Sequence, residues 1–593
     1  MNKKYFLMDS IFYLESIFKY DWIRIPGIIL TALFVAFDTW FIKVYAIKVI
    51  LDALMNNFDF RRIIIMVSIA VGFKTIKLAY DSVWEYYAKR SDHIIISGFQ
   101  HVAFKKANEV DINCYDNTDY YNQYIYSVEE TSTRPILFLN SLFQLFQTFF
   151  TITLAGIFIL ISDPLILIFV IIPILGDSFV RIRMIKARLE RTNAILPEKR
   201  KMDYVLRTSY IRDNAIDIRI TNIHLVLKDL FLSGVENIID IYKKFSNRFT
   251  KLYLVSDAFT HINNTLILLY LIYKIVGTQT LSAGDFIAIK EAVALLSSNL
   301  GKIMERIQAF QEHNIFIERF RAFCSYKNMI TDGDSGIPQA DSSPYLLKLT
   351  NVSFNYSNHF DVLNNINIAI KAGEKIAIVG KNGAGKSTLI KLIMRLYDAT
   401  KGSIEFKGVD IRKFNKQEYL SQFDTVFQDH NSYASSLIEN ILFEHNPSPE
   451  EIEKMMDILD KIDFTLFLED KNKIELELTK EFSEEGIVLS GGQNQKVALA
   501  RALYREHSVL ILDEPSSALD SISEHRWMQL MEKVSINRTI ILISHRLSSV
   551  RDSNCIYYME DGRILESGQH DELMALRGHY FQMFKVQADA YAG

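Results

Sequence analysis

Gly380-Lys381-Asn382-Gly383-Ala384-Gly385-Lys386-Ser387-Thr388 matches the pattern G-x-x-x-x-G-K-[ST], and what flanks it decides the fold. The apolar run Lys375-Ile376-Ala377-Ile378-Val379 precedes it and reads as a buried strand, and Leu389 to Met394 follows with helical patterning. Strand, glycine-rich loop and helix in that order make a phosphate cradle. Gly380, Gly383 and Gly385 let successive N–H groups close on phosphate oxygens, with Asn382 in the loop and Thr388 in the first turn beyond it. The helix points its positive end at the same place. Lys386 is placed to reach terminal phosphates, and the Ser387 hydroxyl to ligate Mg²⁺.

Working outward, 593 residues are too many for one core and imply two or more domains. A net charge of -4 argues against a nucleic-acid binder held by phosphate neutralisation. Apolar residues are concentrated in the first 310 positions, which predicts a membrane half followed by a soluble half. Cys114, Cys324 and Cys555 are odd in number and far apart, so neither a disulfide framework nor a metal cluster is supported.

Met1 to Tyr20 does not read as a secretory signal; its apolar residues fall at near-helical spacing, as for a helix lying in the membrane interface or packed on a core. Six apolar segments follow, at about 22–50, 60–88, 134–161, 164–186, 250–276 and 282–310, each near the ~20 residues that cross a hydrocarbon layer. The first and sixth carry charges and are weaker by hydropathy. Lysine and arginine crowd the connections 89–133 and 187–249, whereas Ser162-Asp163 and Gly277-Thr278-Gln279-Thr280 hold none. Both termini and the two long connections are therefore expected in the cytoplasm.

The polar stretch Thr331 to Pro344 separates the halves, giving expected domains 1–330 and 345–593 with a linker at 331–344. Beyond it, Leu346 to Phe354 and Ile366 to Ile370 read as strands, and alternating helices and strands then predict an α/β nucleotide-binding domain. Val509-Leu510-Ile511-Leu512 is a buried strand ending in Asp513 and Glu514, at the sheet edge where ligands sit. Asp513 suits Mg²⁺ held through water, and Glu514 suits polarising the attacking water. Ser490-Gly491-Gly492 opens a second helix, Asn494 to Tyr504, with its own anion-binding end.

Leu489-Ser490-Gly491-Gly492-Gln493, between the phosphate loop and LILDE, resembles the signature of ATP-binding cassette proteins, and the resemblance runs through nearly the whole chain. It implies a half-transporter of the ABC exporter type: an all-α domain of six membrane helices, then one α/β P-loop ATPase domain. It implies ATP and Mg²⁺ as cofactors, Tyr356 stacked on adenine, Gln428 contacting Mg²⁺, Asp520 crossing between two cassettes and His545 at the γ-phosphate. Ser490, Gly491, Gly492 and Gln493 of one chain would close on the ATP held by another, so a second chain is implied. A homodimer is favoured, because Glu514, His545 and LSGGQ are all present, and a heterodimer stays open. Glu481 to Gly486 resembles the segment that senses the membrane domain, and Asp116 to Tyr126 and Ser209 to Ile220 lie where the family has coupling helices. Lys496 stands where arginine is common in the family.

As implied, the protein sits in the lipid bilayer of a bacterial inner membrane with its ATPase domain in the cytoplasm, and exports cargo by alternating access. No leader-trimming protease domain is expected ahead of the first helix. A peptide-like cargo is the first expectation, and a lipid flippase or multidrug exporter the alternative; an importer or regulated channel shares the fold. A soluble ABC ATPase acting on DNA or ribosomes conflicts with the six apolar segments. Asp38, Lys43, Lys74, Lys77, Asp81, Asp257, His261, Lys290 and Glu291 are ionisable and lie within them; such residues mark a substrate path or pair structurally.

Overall fold

The computed structural model describes all residues except 1–2, 56–58, 117, 212–213, 339–342, 357–360, 429–430, 469–470, 516–537, 547–548 and 593. Two compact units divide the chain, one of Met1–Val110 with Thr118–Tyr326, the other of Asp111–Asn117 with Lys327–Gly593.

The first unit is helical. α1 is Lys3–Tyr20; α2, Arg24–Trp40, continues through a wide turn at Phe41–Ala46 into α3, Ile47–Met55. Then come α4 (Phe60–Glu109), α5 (Thr118–Glu130), α6 (Arg134–Ser162), α7 (Leu165–Tyr210), α8 (Ala215–Ile220), α9 (Ile223–Ile272) and α10 (Ala283–Cys324). At 1.5 Å per residue the 50 residues of α4 reach about 75 Å, far beyond a ~30 Å hydrocarbon layer. Among the described residues, five helical stretches are long and apolar enough to cross a membrane: Arg24–Met55, Phe60–Glu109, Arg134–Ser162, Leu165–Tyr210 and Ile223–Gly277. The first expected span meets that measure despite its charges. The sixth forms a 42-residue helix but falls short in composition, because Asp285, Lys290, Glu291 and Lys302 interrupt it.

Local chemistry sets where these helices begin. The Asp59 side chain accepts from the Arg62 amide and caps α4, while Ser282 and Asp285 form a reciprocal capping box at the start of α10. Between α6 and α7, buried Asp163 accepts from the Tyr270 hydroxyl at 2.9 Å and the Leu165 amide at 3.1 Å, and pairs with Lys274 at 3.1 Å. That ties the α6–α7 turn to the end of α9. Below it, Ala155, Ile159, Ile166, Val170, Ile267, Leu271, Ala288 and Ala292 form a closed apolar core. The two readings of the N-terminal helix divide by face: α1 buries Tyr13 and Ile17 completely, with Tyr13 against Phe99, Phe138 and Phe316, and leaves Ile11 and Phe18 exposed.

The second unit is α/β. β1 (Leu347–Phe354), β2 (Leu363–Ile370), β4 (Lys401–Phe406) and β5 (Val409–Asp410) form an antiparallel sheet in the order β2-β1-β4-β5. β3 (Lys375–Gly380), β6 (Phe423–Val426), β7 (Val509–Asp513), β8 (Thr539–Ile543), β9 (Cys555–Glu560) and β10 (Arg563–Gly568) form the other, in the order β10-β9-β3-β8-β7-β6. All its pairings are parallel save that of β10 with β9. β7 and β8 are buried at every position, as continuous apolar strands covered on both faces must be. The stretch 331–344 is tied down where it is described: Gly333 and Ser335 donate to the Phe414 and Lys413 carbonyls, at 3.1 and 2.9 Å. Only glycine fits at 333, where a Cβ would lie 2.0 Å from the Lys413 carbonyl oxygen.

Candidate functional site

The sheet order converges the candidate residues. β8 lies between β3 and β7, so the loop after β3, the acidic end of β7 and the residues after β8 emerge side by side at the carboxyl edge of a parallel sheet. A cleft of about 530 Å³ opens there, lined by Asn382, Gly383, Gly385, Lys386, Ser387, Thr388, Gln428, Asp513, Glu514 and His545, with Val362 and Ile543. The last two were not anticipated: Val362 lies just ahead of β2, and Ile543, as one apolar strand residue among many, gives no signal.

Backbone geometry explains the glycines. Gly380 has φ +149°, and a Cβ there would stand 2.0 Å from the Met559 carbonyl oxygen. Gly385, at φ +95°, is the residue preceding α11 (Lys386–Ile393) and is crowded by Leu363. The Lys386 side chain folds back to donate to the Gly380 and Lys381 carbonyls, both at 2.9 Å, and is only 7% exposed. Burial pushes its ammonium below the ordinary lysine range, while the Glu514 and Asp513 carboxylates pull it back up.

Glu514 follows β7 with a left-handed backbone, φ +50°, unusual for a residue with a side chain. Its amide donates to the Ile543 carbonyl at 2.9 Å, which extends the β7–β8 ladder by one bond. Its Oε2 lies 3.3 Å from His545 Nδ1. Asp513, one residue earlier, is buried on β7. The Ser387 hydroxyl, Gln428 amide and Asp513 carboxylate bring oxygen donors to one cleft, a set that fits Mg²⁺, which takes few protein ligands and completes its shell with phosphate and water.

Tyr356 does not line the cleft but contacts Thr388, which does. Its hydroxyl is 3.3 Å from Thr388 Oγ1, and its ring meets Phe354 and Tyr397 edge-on, with centroids 4.8 and 5.3 Å apart. Ser490, Gly491, Gly492 and Gln493 do not line this cleft. They open the helix Gly491–Arg505, which begins three residues earlier than expected because Ser490 and Gln493 form a capping box, Ser490 N–H to Gln493 Oε1 at 2.8 Å. A Cβ on Gly491 would meet no atom within 4 Å. From the same helix buried Gln495 donates to the Pro515 carbonyl, a link to the turn after Glu514 that the sequence did not announce. Asp520 lies outside the described residues. In Glu481–Gly486, the Glu477 carboxylate accepts from the Glu481 and Phe482 amides at 3.1 and 3.3 Å and leaves the Phe482 ring 82% exposed.

Residues 363–517 match the family model of the ABC transporter. An ATP-dependent lipid A-core flippase of Pectobacterium atrosepticum is 32% identical over 343 residues, 56% of this chain and 57% of that protein. One of Salmonella paratyphi A is 34% identical over 302 residues, 50% of this chain and 51% of that protein. The chain thus spans about half the length of the curated relatives it matches. Among solved structures, a bacterial Atm1-family ABC exporter with ATP bound superposes with a TM-score of 0.78 at 20% identity, covering 95% of this chain and 98% of that one.

Proposed function

We propose that this chain, which carries an ABC transporter domain on the fold of an ABC exporter, is one half of an ATP-driven membrane exporter that works as a dimer. The observation that carries the reading is the single cleft in which Lys386, Ser387, Asp513, Glu514 and His545 meet while Ser490–Gln493 stand outside it. A nucleotide held on the loop around Lys386 would be closed by the Ser490–Gln493 end of a second chain. Two identical chains suffice, since each carries both parts.

Within the cleft each group has one task. The loop amides and α11 hold the phosphates, and Lys386 leaves its two carbonyl partners for the terminal phosphate oxygens. Glu514 orients and polarises the attacking water, its position fixed by the Glu514–Ile543 bond, and His545 sits beside it facing the γ-phosphate. A bound Mg²⁺ supplies charge neutralisation on the phosphates. Tyr356 offers a ring face to adenine.

Nucleotide-driven closure would turn the helical unit outward, and hydrolysis would reset it. The protein then sits multi-pass in an inner membrane with the cassette in the cytoplasm. The relatives named as lipid A-core flippases favour an amphipathic lipid over a peptide as cargo. The test is ATPase activity of the reconstituted protein against a panel of peptides, lipids and drugs, with direction followed in inverted vesicles. Stimulation by lipids, with movement away from the cassette side, is expected; no ATP-dependent movement of any cargo would sink the exporter reading.

A further inference from the structure

The helical unit carries a second feature built for a ligand. A groove of about 630 Å³ lies between α7 and α9, lined chiefly by Arg188, Arg191, Tyr242, Lys243, Phe249 and Tyr253. The Arg191 guanidinium is held between two rings, 4.9 Å from the Tyr242 centroid and 5.0 Å from that of Phe249, with its Nε buried and unbonded. Among the described residues no carboxylate pairs with Arg188 or Arg191. Of the acids nearby, Glu190 is engaged with Arg248 at 2.6 Å, and Asp240 pairs with the groove's own Lys243 at 3.0 Å in an exposed contact that leaves Arg188 and Arg191 uncompensated. The groove therefore has an excess of positive charge, and Ser246 and Thr250 add hydroxyl donors to it.

Its depth says what kind of anion suits it. Taking the fourth span to end near 186, Arg188 and Arg191 fall about 3 and 7.5 Å beyond the hydrocarbon edge at 1.5 Å per residue. Taking the fifth to begin near 250, Phe249 and Thr250 lie at that edge, Tyr253 about 4.5 Å inside and Lys243 about 10 Å outside. The headgroup layer is about 5–8 Å thick on each side, so the cations lie in or just below it, Phe249 and Tyr253 lie at its inner boundary, and Tyr242 lies about 12 Å beyond the edge.

We propose that the α7–α9 groove binds the phosphate-bearing head of an anionic lipid of the cytoplasmic leaflet, with Arg188, Arg191 and Lys243 on the phosphate and Phe249 and Tyr253 on the glycerol and first acyl carbons. The site is separate from the nucleotide cleft and needs no assumption about cargo; it rests on the membrane orientation. Arg191 is pre-set by its two rings, so ordering it on binding costs little.

The test is native mass spectrometry of the purified, delipidated full chain titrated with phosphatidylglycerol or phosphatidylcholine of matched acyl chains. Phosphatidylglycerol should bind at least about fivefold more tightly, and more weakly as salt is raised. Arg188→Gln should weaken it about fivefold and Arg188→Gln with Lys243→Gln about 25-fold, while Arg188→Lys keeps most of it. Neither glutamine change disturbs the ring stack. Equal binding of the two lipids, selectivity that does not fall with salt, or undiminished binding in the double variant would overturn the site. Displacement of the lipid by equimolar inorganic phosphate would assign it to free phosphate instead and likewise overturn the lipid. Should the glutamine variants not fold, lipid selectivity and its salt dependence in the unaltered chain decide alone.

Discussion

Glu514 Oε2 stands 3.3 Å from His545 Nδ1, so the carboxylate at the end of β7 and the imidazole after β8 meet at one point of the cleft. Glu514→Gln keeps size and hydrogen bonding but removes the charge proposed to polarise the attacking water. It should bind ATP, accumulate closed dimers and lose at least about 10²-fold in turnover. Lys386→Ala should weaken ATP binding as well if the ammonium serves the bound phosphates as proposed. Turnover and nucleotide affinity measured on both variants separate the roles; undiminished turnover in Glu514→Gln would exclude Glu514 as the water-orienting group.

Stacking on adenine needs a ring face and no hydroxyl. The Tyr356 hydroxyl makes one long contact, 3.3 Å to Thr388, so Tyr356→Phe should be nearly neutral. Tyr356→Ala loses ~1–3 kcal/mol of stacking, and the KM for ATP should rise about 5- to 150-fold. Equal KM values for Phe and Ala variants would point to the hydroxyl in place of the ring.

Gly491 tests whether a second chain completes the site. A Cβ there meets nothing within 4 Å in a single chain, and alanine is the better helix former. Gly491→Ala should therefore leave the melting temperature unchanged or slightly raised while turnover falls at least about tenfold, if a phosphate held on a second chain approaches that backbone closely as proposed. If turnover and ATP-driven dimerisation both persist, the Ser490–Gln493 end does not meet nucleotide.

Arg395 holds the second unit together. Its side chain is 1% exposed, donates to the Phe414 carbonyl at 2.9 Å and the Thr331 carbonyl at 2.7 Å, and pairs with Asp398 at 3.4 Å, all from a left-handed backbone at φ +52°. Arg395→Met keeps the volume but strands the Thr331 carbonyl, while the Phe414 carbonyl keeps the Gly333 N–H, at a cost of about 1–3 kcal/mol. The first unfolding transition of the full chain should fall by roughly 2–12 °C. A transition that does not move would mean water replaces the guanidinium without loss.

Arg395 marks where the sequence stops being legible. Gly380, Gly385, Lys386, Asp513 and Glu514 could be read because the loop tolerates only certain residue types at fixed spacing, and their motif needs no distant partner. Arg395 meets Thr331 and Phe414, Gln495 meets Pro515, and Tyr397 meets Asp116, each across a gap that no local pattern encodes. Five of the six expected spans were legible because apolar runs of bilayer length are rare in soluble chains. The sixth helix was legible only by count and position, since its charges pull it below the composition of a lipid-facing span. The groove residues Arg188, Arg191 and Lys243 were visible only as positive charge on the cytoplasmic side; that they share one groove needed the packing of α7 on α9.

The charges of α10 bear on the cargo. Ala288, Ile289, Ala292, Val293 and Leu296 are buried and give that helix one packed stripe; Lys290 is exposed and Glu291 half-exposed. Taking the sixth span to start near Leu281, Lys290 lies about 13 Å in, close to the middle of a ~30 Å layer. A charge facing lipid there costs about 2.5–3.5 kcal/mol or more, so Lys290 should face an aqueous cavity or a second chain. As sequence neighbours the two side chains point about 100° apart and cannot neutralise each other fully. If the cargo is an anionic amphiphile, Lys290→Ala should cut the ratio of cargo-stimulated to basal ATPase activity more than Glu291→Ala does, and a cationic cargo should reverse that order. Measuring the ratio for both variants with one anionic and one cationic amphiphile decides it: a ratio unchanged in both, or failure of either variant to insert and dimerise, makes these charges structural and moves the cargo path to another face of the bundle.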